Sequence, residues 1–186
     1  RPTRSPGMTR GSLTPVGARD EAVSRPIRVL VADDHALVRE GLRRVLEDMP
    51  GIEVVGEIAT GEEFLARCFE PDFDVTLLDL QMPGMGGLEA LHEARQITPG
   101  LRCIVLTMYD EDAYAVRALR EGALGYLTKS ASGEELVTAI ESVASGGRYI
   151  TPSAAQALAD FVLDADQPSH IALTQREFEV FLRIAQ

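Results

Sequence analysis

Val75-Thr76-Leu77-Leu78-Asp79-Leu80-Gln81-Met82-Pro83-Gly84-Met85-Gly86-Gly87 decides the fold. Val75, Leu77 and Leu78 are too apolar and too closely spaced for a one-sided sheet, so the run predicts a central parallel strand. It stops at Asp79. Pro83 and the glycines then force a loop, and apolar residues resume at helical spacing from Leu88. Open α/β sheets bind ligands outside the carboxyl ends of their strands, where this acid would stand. On this stretch alone, Asp79 reads equally well as a turn aspartate.

Working outward, Ile27 to Ala32 predicts a β-branched strand ending in Asp33-Asp34, and a helix starts at His35 and is stopped by Pro50-Gly51. Ile52 to Ile58 is a second strand. Thr60-Gly61-Glu62-Glu63 has capping-box spacing and opens a helix to Phe69. After the Asp79 strand comes a helix from about Gly87 to Ile97. Arg102 to Thr107 is the fourth strand, and Glu111 to Glu121 a helix closed by Gly122. Ala123 to Thr128 is the fifth strand, followed by Lys129. Ser132-Gly133-Glu134-Glu135 is a second capping box, starting a helix to Ser145. Five strand–helix units predict a flavodoxin-like α/β domain with a parallel sheet of order 2-1-3-4-5. Its switch point falls between strands one and three, so Asp33, Asp34 and Asp79 would share one crevice.

Flanking segments differ. Residues 1–26 hold five arginines among Pro, Gly, Ser and Thr and predict a disordered arm; the chain opens on Arg1, and Met8 is a candidate start. Residues 27–147 form the main domain. Residues 148–172 form a helical linker, with Pro152 at the first position of a helix running to about Leu163. Residues 173–186 hold a capping box, Thr174-Gln175-Arg176-Glu177, and a single amphipathic helix that stops mid-pattern.

Composition narrows the class. With 186 residues, 45% hydrophobic and 25% charged, the chain is globular. A net charge of -11 excludes nucleic-acid binding by overall charge but allows a small basic module. Cys68 and Cys103 read as buried free thiols in a reducing compartment. No apolar run reaches membrane length and no signal peptide appears, so no membrane partner and a cytoplasmic protein are expected.

Three acids in one crevice raise each other's pKa, and a hard divalent cation with oxygen ligands would compensate them. Thr107 and Lys129 end strands four and five on the same rim. A cation, a hydroxyl and a lysine are what a transferring phosphoryl group needs around its oxygens. One carboxylate must then be the nucleophile, and Asp79 on the central strand is the candidate. Taken singly, Thr107 is an ordinary strand-end hydroxyl, Lys129 a solvated lysine and Tyr126 part of the core; together with the three acids they make a site.

These residues resemble the response-regulator receiver domain of two-component signalling, NarL/FixJ (LuxR-type) subgroup. The match runs through Val29-Leu30-Val31-Ala32-Asp33-Asp34-His35, Leu78-Asp79-Leu80-Gln81-Met82-Pro83-Gly84, Leu106-Thr107 and Gly125-Tyr126-Leu127-Thr128-Lys129, within about residues 27–146. Leu173 to Val180 resembles the first helix of a LuxR-type helix-turn-helix whose recognition helix is missing, so the sequence reads as truncated there. The resemblance implies phosphoryl transfer to Asp79 from a sensor histidine kinase. It implies Mg2+ (or Mn2+) on Asp34, Asp79 and the Gln81 carbonyl, with Asp33 acting through water. Lys129 and Thr107 would take phosphoryl oxygens, and Tyr126 would turn inward as the switch aromatic. A homodimer when phosphorylated and DNA binding through the C-terminal module would follow, and the domain would catalyse only its own phosphorylation and dephosphorylation.

Departures from the family pattern are also legible. Ser130 follows Lys129 where many receivers have Pro, leaving the isomer of that bond open. Gly86 stands where an acid often caps the third helix, predicting weak capping. His35 reads as a residue of the first helical turn, and His92 and His170 show no ligand spacing. Met82, Met85 and Met108 read as packing, with bulky Met108 also expected to slow hydrolysis at Asp79.

Three other readings compete. A haloacid-dehalogenase-type phosphatase wants a second acid two residues after its nucleophile, where Gln81 stands. A nucleotide or flavin binder wants phosphate-binding glycines after strand one, where acids stand. A pseudo-receiver would lack an acid, the Thr or the Lys.

Overall fold

The computed structural model describes residues 25–108 and 112–164. Its elements are β1 (Ile27–Ala32), α1 (Ala36–Glu47), β2 (Ile52–Ile58), α2 (Gly61–Phe69), β3 (Val75–Asp79), α3 (Gly87–Ile97), β4 (Cys103–Thr107), α4 (Asp112–Arg120), β5 (Gly125–Thr128), α5 (Gly133–Ala144) and α6 (Pro152–Asp164). The five strands form one parallel sheet in the order β2-β1-β3-β4-β5, as expected. Most of the arm, the end of the linker and the helix expected after Leu173 lie outside the described residues.

Alternation along the strands builds two cores. Val29, Val31, Val75, Leu77, Ile104, Leu106 and Leu127 face α1 and α5. Leu30, Ala32, Leu78, Cys103, Val105 and Tyr126 face α2, α3, α4 and α6. All five residues of β3 and of β4 are buried, which is why their sequences are near-continuous apolar runs. Edge strand β2 keeps Glu53 and Glu57 exposed. Cys68 and Cys103 are free and buried, and burial pushes the Cys68 thiol up to about 11 and Cys103 higher still.

Capping follows the sequence with two differences. Ser132 and Glu135 complete their box at α5. At α2 the Thr60 hydroxyl accepts from the Glu63 amide, but Glu63 accepts from Ala59 N–H at 2.8 Å, so that box is half formed. Gly86 caps α3 with extended backbone and no side-chain bond, the weak cap expected. His35 precedes α1 as its N-cap, one residue outside the first turn where the sequence placed it. Gly122, at φ 101°, closes α4 in the left-handed region.

The expected fifth strand is shorter than Ala123 to Thr128, because the ladder with β4 begins at Gly125. Leu124 is instead tied on both sides: its amide donates to Cys103 O at 2.8 Å and its carbonyl accepts from Tyr149 N at 2.9 Å. Tyr126 N then donates to Tyr149 O at 3.2 Å, making a parallel bridge at the free edge of β5. From there α6 folds over α4, burying Ala154 in the core that holds Tyr114, Ala115, Ala118 and Tyr126.

Candidate functional site

Parallel strands deliver their carboxyl ends to one rim. β1 brings Asp33 and Asp34, β3 brings Asp79, β4 brings Thr107 and the turn after β5 brings Lys129. Asp33, Asp79 and Thr107 are buried, at 1%, 2% and 0% exposure. The register sets Asp79 beside Leu106, one residue short of Thr107, and pairs Thr107 with Thr128. The Lys129 amide donates to Thr107 O at 2.6 Å. No cis peptide occurs among the described residues, so Lys129-Ser130 is trans.

Lys129 Nζ lies 2.8 Å from Asp79 Oδ2, as a hydrogen bond, and 2.7 Å from Asp33 Oδ2, as an ion pair without hydrogen-bond angles. One ammonium is therefore divided between two buried carboxylates. Burial pushes Asp79 up to about 6, against the pull of Lys129 and the Gln81 backbone amide. Burial also opposes the charged lysine, but Asp79 and Asp33 outweigh it and raise Lys129.

One carboxylate oxygen from each of Asp33, Asp34 and Asp79 and a ring nitrogen of His35 lie within 4.8 Å of one another. Three acids and one lysine leave a net negative pocket of mainly hard donors, which fits a divalent cation. His35 is the addition. Its Nδ1 is 2.8 Å from Asp34 Oδ1 and 3.2 Å from Asp33 Oδ1, and its amide donates to Asp33 Oδ1 at 2.8 Å. The sequence placed it beside the acid pair without showing that its ring turns back over them.

The loop after Asp79 is anchored at both ends. Glu62 on α2 accepts from Met85 N–H at 3.1 Å, and Gly87 N–H donates to Leu80 O at 3.0 Å. A Cβ on Gly87 would fall 2.0 Å from the Asp79 carbonyl oxygen, so only glycine lets α3 start there. Met82 is buried and Met85 packs on the core as expected, but Met108 is 70% exposed at the end of β4 and is not packing. Tyr126 is buried at 4% exposure. His92 serves no such site; it pairs with Glu121 at 2.9 Å on the surface.

The fold and this rim define a doubly wound α/β domain with an acidic pocket at its switch point. The chain belongs to the response regulator receiver domain family, whose model matches residues 29–141. It is 42% identical over 162 residues to the response regulator UvrY of Escherichia coli K12, covering 86% of this chain and 74% of that protein. A LuxR-family two-component response regulator from Aurantimonas superposes with a TM-score of 0.68 at 40% identity, over 74% of this chain and 99% of that one. The RcsB receiver of Salmonella enterica, solved with the phosphomimetic BeF3-, gives 0.64 at 28% identity over 72% and 99%. RcsB dimers bound to two parallel DNAs give 0.65 at 28% identity over 73% and 69%. The chain is thus a NarL/FixJ-type response regulator of two-component signalling, a family of signalling proteins.

Proposed function

We propose that Asp79 accepts a phosphoryl group from the phosphohistidine of a sensor histidine kinase. The observation that carries this is a buried carboxylate at the end of the central strand, 2.8 Å from Lys129 Nζ and inside a 4.8 Å cluster of metal-type donors. An Asp79 carboxylate oxygen attacks phosphorus, the P–N bond breaks, and the imidazole leaves with a proton from solvent. Lys129 neutralises a phosphoryl oxygen and Thr107 donates its hydroxyl to another. Asp34, Asp79 and the Gln81 carbonyl would hold Mg2+ (or Mn2+), with Asp33 contributing through water. The cation neutralises charge on the phosphoryl oxygens when bound. The domain turns over only its own phosphoryl group.

Thr107 and Tyr126 then report the phosphorylated state by a shift between two packings. Residues 27–147 are the receiver, 148–172 the linker and 173–186 the start of a LuxR-type helix-turn-helix. Phosphorylation favours a homodimer and DNA binding through that module, in the cytoplasm. The DNA-bound RcsB dimers support the output, and the buried free thiols suit a reducing compartment. Among the described residues no helix is long and apolar enough to cross a membrane.

The test is Mg2+-dependent labelling by acetyl phosphate, read by intact mass. One phosphoryl group per chain is expected, lost in Asp79→Asn and in chelator. Labelling that persists in Asp79→Asn overturns the assignment.

A further inference from the structure

Every polar group of Asp33 faces a group of opposite polarity, and two of its partners, Ile58 and Arg39, lie outside the family's motif residues quoted above. Its amide donates to Ile58 O at 3.1 Å, and its Oδ1 accepts from His35 N–H. Its Oδ2 faces Lys129. Its carbonyl accepts from Arg39 Nη1 at 2.5 Å. Arg39 is 19% exposed, and its Nε lies 3.6 Å from Glu57 Oε2 on β2. Glu57 is also 3.4 Å from Arg43 Nε. A guanidinium fork thus joins α1, the β1–α1 turn and β2.

Local helix energetics do not explain this arginine. It stands in the second half of the first turn of α1, which has no acidic residue. A cation near a helix N-terminus opposes the macrodipole. The gain is at the turn. Asp33 and Asp34 repel each other and, left free, would swing apart toward solvent.

We propose that Arg39 is a positioning residue for the cation pocket: by gripping the Asp33 carbonyl and bracing on Glu57, it holds the two carboxylates facing inward before the cation arrives. This rests on the cation reading given above. Outer partners of this kind typically change metal affinity by about 10-fold or more.

The test is Mg2+ titration by calorimetry on the full chain, with urea midpoints measured in parallel. Arg39→Met is expected to weaken Mg2+ binding about 10-fold, and Arg39→Lys, which still donates to a carbonyl, to stay within about 3-fold of wild type. Asp34→Asn separates the two claims. If wild type binds Mg2+ and Asp34→Asn weakens it while Arg39→Met does not, Arg39 has no positioning role and the pocket stands. Tighter binding in Arg39→Met means the arginine is only a repelling charge, and overturns the proposal. So does an Arg39→Lys variant as weak as Arg39→Met. Absence of Mg2+ binding in wild type removes the cation reading and this inference with it. Should Arg39→Met fail to fold, Arg39→Gln replaces it, with weakening between the other two variants expected and wild-type affinity or tighter counting against the role.

Discussion

Lys129 Nζ and Asp79 Oδ2 are 2.8 Å apart with both side chains nearly sealed from water, yet the acid is still raised to about 6. The lysine is shared with Asp33, so each carboxylate receives less than a full counter-charge while the lysine receives more than one.

That sharing fixes a pH dependence. The folded protein holds the Asp79 proton more tightly than the unfolded chain, where 3.8 is the ordinary value. Asp79 is therefore harmless to stability below about pH 4 and destabilises progressively as pH rises through about 6. With metal chelated, Asp79→Asn should match wild type near pH 4 and exceed it by on the order of 1–3 kcal/mol above pH 7. Urea denaturation across pH checks this, and a variant less stable than wild type at neutral pH would contradict it.

Removing the lysine acts oppositely. Lys129→Met leaves two buried carboxylates facing one another, a loss of about 3–5 kcal/mol at pH 7. Added Mg2+ should then raise the urea midpoint of this variant more than that of wild type, since binding to the folded state adds stability. Equal responses would mean that the cation does not reach Asp33 and Asp79.

Two glycines make a matched pair. Gly87→Ala drives a methyl into the Asp79 carbonyl and should cost about 3 kcal/mol or more, with loss of phosphoryl labelling. Gly41, inside α1, has nothing within 4 Å of an added Cβ. Gly41→Ala should stabilise by about 0.5–1 kcal/mol and leave labelling unchanged. Thermal melts and acetyl phosphate labelling read both.

Met108 offers a test of phosphoryl lifetime. Its side chain is 70% exposed beside the end of β4, so truncation should leave the fold intact. Met108→Ala is expected to shorten the half-life of phosphorylated Asp79, measured by loss of mass-shifted protein after donor removal.

The strand-end acids, Thr107 and Lys129 were legible because each terminates an apolar run, and parallel topology sends all such ends to one rim. Arg39 was not, because its partner is the backbone of a residue six positions earlier and its brace sits on β2. Neither was Gly87, one glycine among several in a loop, whose necessity appears only when α3 is laid against Asp79. The pairing of Tyr149 with Leu124 and Tyr126 was hidden for the same reason: no two-residue or helical period announces a single bridge. Met108 reads as apolar and therefore buried, but β4 has already ended there.

That single bridge has a consequence for how copies of the protein meet. A sheet has two outer strands whose unpaired amides and carbonyls invite a foreign strand. Here Tyr149 occupies backbone positions along one border, and β2 guards the other with exposed Glu53 and Glu57 and a slipped register opposite Val29 and Leu30. Both borders therefore disfavour the addition of a foreign strand, one by a backbone already engaged and the other by charge and a bulge.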